Sequence, residues 1–278
     1  MKFSIAVPSF NYGRYIGACL ESIRTQDYPD FEVLVADGGS RDGSMAVIDH
    51  YCGADSRFRL VSRSDAGQSD AVQKALLLSS GDIQCFLNAD DCYLSTSVFS
   101  RVVEVFRSRP DIDVVTLQGW FVDEGGRRIR RVRYRYHPLD SMKLMKQRTI
   151  VLQPATFWRR RVWENSGFRP DFHFVFDVVF FYEAYLRYSW LELPDEVAGY
   201  RWHGENKSAR ISPARIAELA EFEHLKYGRS SWRGGYLAAV AKVVRVMDQL
   251  PAGVVLKRAV RLLVNGLAFL TVYRLPGI

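Results

Sequence analysis

Residues 87–91 read Leu87-Asn88-Ala89-Asp90-Asp91 and close an alternating apolar run that begins after Gly81-Asp82. Such a run predicts a buried strand, so the two carboxylates lie where that strand leaves its sheet. Like charges placed so close repel each other unless a cation or hydrogen-bond donors compensate. A divalent metal is one solution, because Mg²⁺ and Mn²⁺ prefer oxygen ligands and take few protein carboxylates together with substrate phosphates. The alternative is that Asp90 and Asp91 cap a helix that begins near Ser95 and Thr96.

Strand and helix patterns alternate through the first hundred residues. Strands are expected at 3–8, 31–35, 58–61 and 83–87, with helices through 16–23, 47–48 and 69–77. This alternation predicts an α/β fold, with a mostly parallel, Rossmann-like sheet flanked by helices on both faces. Ligands of such sheets bind beyond the carboxyl ends of the strands. Polar residues follow each strand at that edge: Ser9 and Asn11, Asp37, Ser64 and Asp65, Asp90 and Asp91.

The regularity changes after Pro110. A strand is expected at 114–122, a hairpin turn at 124–126 and a return strand at 129–136. The hairpin carries six arginines, which are either solvated or in contact with phosphates or lipid head groups; they are Arg127, Arg128, Arg130, Arg131, Arg133 and Arg135. A buried helix is expected at 174–188 with Asp177 as its exception, and another helix follows Ser212-Pro213.

The chain has 278 residues and a net charge of +7, and its basic residues concentrate at the end. Residues 225–278 hold nine lysines and arginines against one aspartate, so the rest of the chain is close to neutral. A near-neutral body argues against nucleic acid as a partner. We expect a catalytic domain at 1–224, with a nucleotide-binding half at 1–110 and an acceptor half at 111–224, and a C-terminal amphipathic helical tail at 225–278.

The tail is expected to lie on an anionic membrane surface, because its apolar stretch is too short to span a bilayer. The alternative is packing on its own body or on a partner chain, which would give a homo-oligomer. The four cysteines lack metal-ligand spacing and are expected to be buried thiols in a reducing compartment. Met1-Lys2-Phe3 leads directly into a strand and leaves no room for a signal peptide. The expected location is cytoplasmic, peripheral on the inner face of the cell membrane.

The order of these polar clusters resembles glycosyltransferase family 2, which comprises inverting enzymes with a GT-A fold. The resemblance covers about residues 1–210 and rests on several motifs in order: Val7-Pro8-Ser9-Phe10-Asn11, Asp37-Gly38-Gly39-Ser40, Asp65-Ala66-Gly67-Gln68-Ser69-Asp70, Asn88-Ala89-Asp90-Asp91, Gln153-Pro154-Ala155-Thr156, Phe176-Asp177 and Tyr200-Arg201-Trp202-His203. It implies a nucleoside diphosphate sugar donor, with Asp37 at the base and Asp90 at the ribose. The donor-binding residues that it implies are Pro8, Phe10, Asn11, Asp37, Gly67, Asp70, Asn88, Asp90 and Lys207.

The resemblance also implies a metal, Mn²⁺ or Mg²⁺, with Asp91 and His203 as its ligands. A cation there would stabilise the charge that develops on the departing diphosphate. Asp177 would accept the proton of the attacking hydroxyl, and a single carboxylate on that face gives inversion by direct displacement. The acceptor, a glycan or glycolipid, would lie at Gln153 and Thr156.

Two positions depart from the family pattern. Asn88 stands where many relatives have an acid, and Val179 stands at a position that is often acidic, so Asp171 and Glu183 remain alternative bases. The Gln-x-x-Arg-Trp motif of processive synthases is absent, which favours transfer of one hexose over polymerisation.

The alternative functions are a nucleotidyltransferase that makes sugar nucleotides and a non-catalytic membrane-associated scaffold. A nucleotidyltransferase would carry a Gly-rich, basic loop after the first strand, whereas this chain has Pro8-Ser9-Phe10-Asn11-Tyr12-Gly13. A non-catalytic membrane-associated scaffold would have no reason to keep Asp90, Asp91 and Asp177.

Overall fold

A computed structural model describes residues 1–132, 152–204, 206, 213–230 and 232–249. Its strands are β1 (Phe3–Ser9), β2 (Phe31–Asp37), β3 (Phe58–Ser62), β4 (Ile83–Phe86), β5 (Cys92–Tyr93), β6 (Val114–Val122), β7 (Arg128–Val132), β8 (Thr156–Arg159) and β9 (Trp190–Arg201). Its helices are α1 (Ile16–Arg24), α2 (Ser44–Ala54), α3 (Gln68–Leu77), α4 (Val98–Ser108), α5 (Arg160–Ser166), α6 (Phe176–Arg187), α7 (Pro213–Tyr227) and α8 (Trp232–Gln249). A single 3-10 turn, Gln153–Ala155, precedes β8.

The strands form one sheet in the order β3-β2-β1-β4-β8-β6-β9-β5, with β7 paired to β6. The first four strands are mutually parallel, as predicted. The second half is mixed: β8 is antiparallel to β4 and β6, whereas β9 is parallel to β6 and antiparallel to β5. The predicted α/β architecture is therefore confirmed, and its wholly parallel part consists of the strands β1 to β4.

The core lies on both sides of the parallel strands. Every residue of β1 and β2 is buried, as expected for strands covered on both faces. The helix α3 packs over β1 and β2, and the ring of Phe99 in α4 stacks on Phe3 with 4.5 Å between centroids. This packing leaves the carboxyl ends of the strands as the edge where loops with polar side chains emerge.

Two segments differ from the sequence-based expectation. Asp91 is followed by the short strand β5, not by a helix, and α4 begins later, at Val98. The twelve-residue strand β9 was not predicted, because Pro194 and three acidic residues interrupt any strand pattern there. Pairing with β6 over most of its length holds β9 in place. The return strand of the hairpin is described as β7, and residues 133–136 lie outside the described residues.

The chain divides into two compact units. Among the described residues, the first unit comprises 1–132, 152–171 and 176–203, and it contains the sheet. The second comprises 172–175, 204, 206, 213–230 and 232–249. In it α7 and α8 pack on each other through six buried apolar residues: Ile216, Ala220, Leu237, Val240, Ala241 and Val244. The Glu218 carboxylate accepts the main-chain N–H groups of residues 173–175.

Residue 225, the expected start of the tail, lies inside α7, and residues 250–278 lie outside the described part of the chain. The division into domains therefore stays a prediction. None of the helices in the described ranges has both the length and the apolar character needed to cross a bilayer.

Candidate functional site

The loops after β1 and β2 are bonded to each other at the carboxyl edge of the sheet. Asn11 adopts a left-handed backbone with φ of 57°. Its N–H donates to Ser40 Oγ at 2.7 Å, and its Oδ1 accepts the N–H of Arg41 at 2.9 Å. The Gly38 N–H donates to the carbonyl of Ser9 at 2.8 Å. These hydrogen bonds hold the two loops together. Asn11 takes part in them through both its main chain and its side chain.

Asp37 is fully buried at the end of β2. Its Oδ1 accepts the N–H groups of Gly39 and Ser40, and its Oδ2 accepts Ser40 Oγ at 2.6 Å. The carboxylate therefore orders the loop that follows it, an arrangement typical of Asp in turns. Its predicted contact with a base stays a prediction.

The end of β1 presents three different environments. Pro8 is buried within the strand, and Phe10 is 57% exposed beside the loop. Between them, Ser9 Oγ is buried and has no hydrogen-bond partner among the described residues. Buried hydroxyl groups nearly always have a partner, so this atom indicates a place where a bound molecule would supply one.

The loop before α3 is also held by its own side chains. Gly67 has φ of +123°, which side chains rarely adopt, and its N–H donates to Asp65 Oδ1 at 2.8 Å. Asp70 accepts the N–H of Ala66 at 2.8 Å and pairs with Lys74. The pair with Lys74 and the bond from Ala66 lower the pKa of Asp70. Gly67 and Asp70 thus shape the start of α3, and their predicted donor contacts stay predictions.

Asp90 and Asp91 are both buried, with 7% and 1% of their surfaces exposed. Asp91 Oδ1 accepts the main-chain N–H of Arg201 at 2.9 Å, and Oδ2 accepts Asn88 Nδ2 at 3.3 Å. Burial and the charge of Asp90 raise the pKa of Asp91 well above its usual range, although these donors oppose the rise. The pair is therefore an electrostatically unfavourable site that a cation would relieve.

His203 contacts Asp90, the first residue of the carboxylate pair. Its Nε2 lies 3.0 Å from Asp90 Oδ2. The imidazole is buried and packs against the ring of Tyr15 at 4.7 Å and the ring of Tyr12 at 6.2 Å. The fold thus brings the predicted metal ligand His203 to the pair that contains the other predicted ligand, Asp91. Tyr12 and Tyr15 pack against the imidazole of His203.

The donor atoms present fit a divalent cation. The described residues contain no group of three or more acidic, histidine or cysteine side chains arranged to hold a metal on its own. Asp91 and His203, beside Asp90, offer carboxylate oxygen and imidazole nitrogen, which suit Mn²⁺. Ions of this class usually complete their coordination with water and substrate phosphates. These residues match a site that fills when a phosphorylated substrate binds.

Arg201, the last residue of β9, joins this site to the hairpin between β6 and β7. Its side chain is 3% exposed, and its Nε donates to the carbonyl of Asp90 at 2.7 Å. Its Nη1 donates to the carbonyls of Asp123 and Glu124 at 3.0 and 2.8 Å. A buried guanidinium with these acceptors fixes the turn that carries the two aspartates.

The two residues predicted on the acceptor side have other contacts. Gln153 donates through Nε2 to the carbonyl of Phe86 at 2.6 Å and accepts Asn88 Nδ2 at 3.1 Å. Thr156 is fully buried, and its Oγ1 donates to the carbonyl of Leu152 and lies 3.0 Å from Thr116 Oγ1. The hydroxyl of Thr156 is buried between β8 and β6, and its predicted place on the acceptor side stays a prediction. Gln153 lies beside Asn88 and so belongs to the surroundings of the carboxylates.

Asp177 lies in the first turn of α6 and is half-buried. The ring of the preceding residue, Phe176, stacks on Phe86 at the end of β4 with 5.8 Å between centroids. The alternative base Asp171 is exposed and forms a two-point ion pair with Arg169, which lowers its pKa and its basicity. The other alternative base, Glu183, lies later in the same helix as Asp177, and its Oε1 is 3.8 Å from Nη1 of Arg169. The first turn of α6, which carries Asp177, thus packs through Phe176 against the end of the strand that leads to the carboxylate pair.

Lys207 lies outside the described residues. Tyr12, Gln68 and Arg201 lie near the carboxylates but were not among the predicted site residues, and neither was Ser9 at the end of β1. Burial and the charges of Asp90 and Asp91 raise the pKa of Tyr12, which shows how near its hydroxyl lies to them. Arg201 could have been suspected from its place two residues before His203. Gln68 belongs to a quoted motif, but nothing in the sequence indicated its contact with Asn88 twenty positions away.

Comparison with known proteins places this geometry in a family. The model of Glycosyl transferase family 2 matches residues 4–168. A PGL/p-HBAD biosynthesis glycosyltransferase of Mycobacterium bovis is 29% identical over 167 residues, covering 59% of this chain and 62% of the relative. An uncharacterized glycosyltransferase of Nostoc sp., alr2836, is 29% identical over 116 residues, covering 41% and 36%. The chain therefore aligns with less than two thirds of the length of each of these relatives.

Solved structures share the fold. Staphylococcus aureus TarS 1-349, in complex with UDP-GlcNAc, has a TM-score of 0.66 at 20% identity, covering 85% of this chain and 69% of that one. The mannosyltransferase PcManGT from Pyrobaculum calidifontis, in complex with GDP-Man and Mn²⁺, has a TM-score of 0.61 at 17% identity, covering 96% and 80%.

These findings decide between the enzyme classes weighed from the sequence. The family match spans the strands and loops that hold Asn11, Asp37, Asp90 and Asp91, and it does not support a nucleotidyltransferase. The fold is the GT-A fold seen in the glycosyltransferases above. The chain belongs to glycosyltransferase family 2.

Proposed function

We propose that this glycosyltransferase moves a hexose from a nucleoside diphosphate sugar to a hydroxyl acceptor by direct displacement with inversion. The observation that carries the proposal is the buried pair Asp90 and Asp91, with His203 3.0 Å from Asp90, at the carboxyl edge of a GT-A sheet. Support comes from the solved structures of the same fold, whose descriptions name UDP-GlcNAc in one and GDP-Man with Mn²⁺ in another.

The donor would bind across the loops that follow β1, β2 and β4. Asp91 and His203 would hold Mn²⁺ or Mg²⁺, which neutralises negative charge on the diphosphate. The unpartnered hydroxyl of Ser9 would face the nucleotide, and Phe10 would offer it an exposed ring. Lys207 is expected to add a positive charge near the departing diphosphate. Groups that bind this charge best in the transition state accelerate the reaction.

Asp177 is the proposed general base. It would take the proton of the acceptor hydroxyl as the oxygen attacks the anomeric carbon, while the diphosphate leaves from the opposite face. The ion pair of Asp171 with Arg169 makes that carboxylate a weaker candidate. A single base on the attacking side needs no covalent intermediate, so the configuration of the anomeric carbon inverts.

Calorimetry of nucleotide binding tests the donor site. UDP, GDP and dTDP are titrated separately into the full chain with and without Mn²⁺. We expect one of them to bind in a metal-dependent way and Asp91→Ala to abolish that binding. Asp111→Ala is the matched control, since Asp111 is an exposed aspartate paired with Arg109. Failure of all three nucleotides to bind folded protein would contradict the proposal and favour a non-catalytic scaffold.

A lipid-linked glycan intermediate is the proposed acceptor, reached at an anionic membrane on the cytoplasmic side. The basic residues of 225–278 support this, as does α8, which exposes Trp232 (68%) and Val243 (48%). Aromatic and basic residues on one helix suit a lipid interface. In a flotation experiment, the full chain should rise with vesicles that contain anionic lipid and not with neutral ones. Equal recovery with both kinds of vesicle, or with neither, would contradict the membrane proposal.

A further inference from the structure

Three side-chain amides lie in a row beside Asp91. Gln68 Nε2 donates to Asn88 Oδ1 at 2.7 Å. Asn88 Nδ2 donates to Gln153 Oε1 at 3.1 Å and to Asp91 Oδ2 at 3.3 Å. Gln153 Nε2 then donates to the main-chain carbonyl of Phe86 at 2.6 Å. The row therefore connects the start of α3, the loop after β4 and the 3-10 turn before β8.

The direction of these hydrogen bonds follows from the last acceptor. A main-chain carbonyl can only accept, so the NH₂ group of Gln153 must face Phe86 and its oxygen must face Asn88. The oxygen can be satisfied only by a donor, which turns the NH₂ group of Asn88 toward Gln153 and Asp91. The Asn88 oxygen is then left to accept from Gln68. One backbone carbonyl thus orients all three amides.

The orientation has a consequence for Asp91. With the Asn88 NH₂ group on Oδ2 and the Arg201 N–H on Oδ1, each carboxylate oxygen has a donor. An aspartate at position 88 could offer no such donor when ionised and would add a third negative charge. The neutral residue at this position is therefore matched to the two glutamines around it.

We propose that Gln68 and Gln153 are positioning residues, which act through Asn88 to hold Asp91 in the orientation used for donor binding. The amide row stands on the hydrogen bonds alone, whereas its effect on donor binding rests on the proposed function. Residues that orient metal ligands typically change metal affinity or activity 10- to 100-fold when they are altered.

Replacement of amide by carboxylate tests the proposal with almost no change of shape. In Gln153→Glu the side chain can no longer donate to Phe86. In Gln68→Glu a carboxylate faces Asn88 Oδ1, which favours a flip of the Asn88 amide and turns its NH₂ group away from Asp91. Gln73→Glu makes the same chemical change on the same helix as Gln68, at a half-buried position outside the row.

Nuclear magnetic resonance of the side-chain NH₂ groups reads the row without any substrate. We expect the Asn88 NH₂ signals to shift in Gln68→Glu and Gln153→Glu and to stay in place in Gln73→Glu. Asp91→Asn introduced into the wild-type protein should also shift the Asn88 NH₂ signals. Introduced into Gln68→Glu it should not, because the Asn88 NH₂ group there no longer faces residue 91. Asn88 NH₂ signals that stay in place in both Gln68→Glu and Gln153→Glu would contradict the amide row.

Calorimetry then reads the effect on donor binding, with the nucleotide and Mn²⁺ that bind the wild type. Affinity should fall about 10- to 100-fold in Gln68→Glu and Gln153→Glu and remain unchanged in Gln73→Glu. Equal affinity in all three variants would overturn the positioning role even if the signals shift. If the wild type binds no nucleotide, the proposed function fails, and the resonance experiment still decides the amide row.

Discussion

The main-chain N–H of Arg201 donates to Oδ1 of Asp91 at 2.9 Å, so the last residue of β9 holds a carboxylate 110 positions earlier in the chain. The same residue reaches the carbonyl of Asp90 with its guanidinium. Both ends of Arg201 therefore act on the turn that carries the two aspartates. This turn is built by the parallel half of the sheet and is held in place by the mixed half.

Arg201→Met should lower the free energy of unfolding by about 3 kcal/mol. The apolar stem and the main-chain N–H remain, but the carbonyls of Asp90, Asp123 and Glu124 each lose the guanidinium as a donor, and that of Asp123 keeps the N–H of Gly126. A buried polar group left without a partner costs about 1–3 kcal/mol, and water entering the hairpin turn recovers part of the total. Urea unfolding measures the difference.

The control for Arg201 is Arg14→Met. Arg14 is exposed and pairs with Glu124 in the same hairpin turn. Exposed ion pairs contribute about 1 kcal/mol or less, so this variant should unfold close to the wild type. Equal losses in the two variants would show that the carbonyls do not depend on the buried guanidinium.

Asp177→Asn should lower kcat by about 10²- to 10⁴-fold, the usual contribution of a general base. Nucleotide affinity should stay unchanged, because the amide keeps the size of the side chain. The measurement is steady-state transfer from the sugar nucleotide selected by calorimetry. Asp171→Asn and Glu183→Gln serve as comparisons on the two alternative bases, and a larger loss of kcat in either would move the base to that residue.

The parallel half of the fold could be predicted because each strand there is a short apolar run followed by a polar turn. The alternation of Phe31, Val33 and Val35 predicted β2, and it also predicted that Asp37 lies at the end of that strand. By contrast, β9 could not be predicted, since its residues alternate poorly and it depends on β6, about 75 positions earlier, for its pairing. A local sequence pattern is sufficient to predict a strand only where the strand is stabilised by burial of its own apolar residues.

The site shows the same division. Asp90, Asp91 and His203 could be singled out from motifs, because a metal that binds phosphates would need those residue types, and the structure brings Asp90 and His203 into contact. The contacts of Gln68, Gln153 and Thr156 could not, since hydrogen bonds between distant segments leave no periodic signal. Thr156 was predicted from its position within a motif, and the structure adds that its hydroxyl lies between two strands.

Glu32→Gln should destabilise the protein at pH 7 and not at low pH. Burial alone would raise the pKa of Glu32, but bonds from Ser4, Ser80 and Lys2 outweigh it and lower the pKa from 4.5 to about 2. A lowered pKa means that the stabilisation is present above about pH 4.5 and is lost as the pH falls toward 2. We expect a loss of about 2 kcal/mol at pH 7, where hydrogen bonds to a charged group are broken.

Urea unfolding from pH 7 to pH 3 measures the Glu32 effect. The difference between Glu32→Gln and the wild type should narrow steadily below pH 4.5. Glu104→Gln is the control, because Glu104 is exposed on α4 and pairs only at the surface with Arg101. A difference for Glu32→Gln that stays constant over this range would show that its charge does not stabilise the fold.

Gly119→Ala should destabilise the sheet severely, by about 3 kcal/mol or more, through overpacking and displaced strands. Gly119 lies on β6 opposite Ala198 of β9, and an added Cβ would overlap the carbonyl oxygen of Ala198 and lie 2.6 Å from Leu152 Cδ2.

Gly53→Ala is the matched control. Its Cβ meets no described atom within 4 Å, and Ala inside a helix such as α2 is more stable than Gly by about 0.5–1 kcal/mol. Thermal unfolding should therefore show a large fall of Tm for Gly119→Ala and a small rise for Gly53→Ala. A Gly119→Ala protein that melts with the wild type would mean that β6 and β9 lie further apart than their register requires.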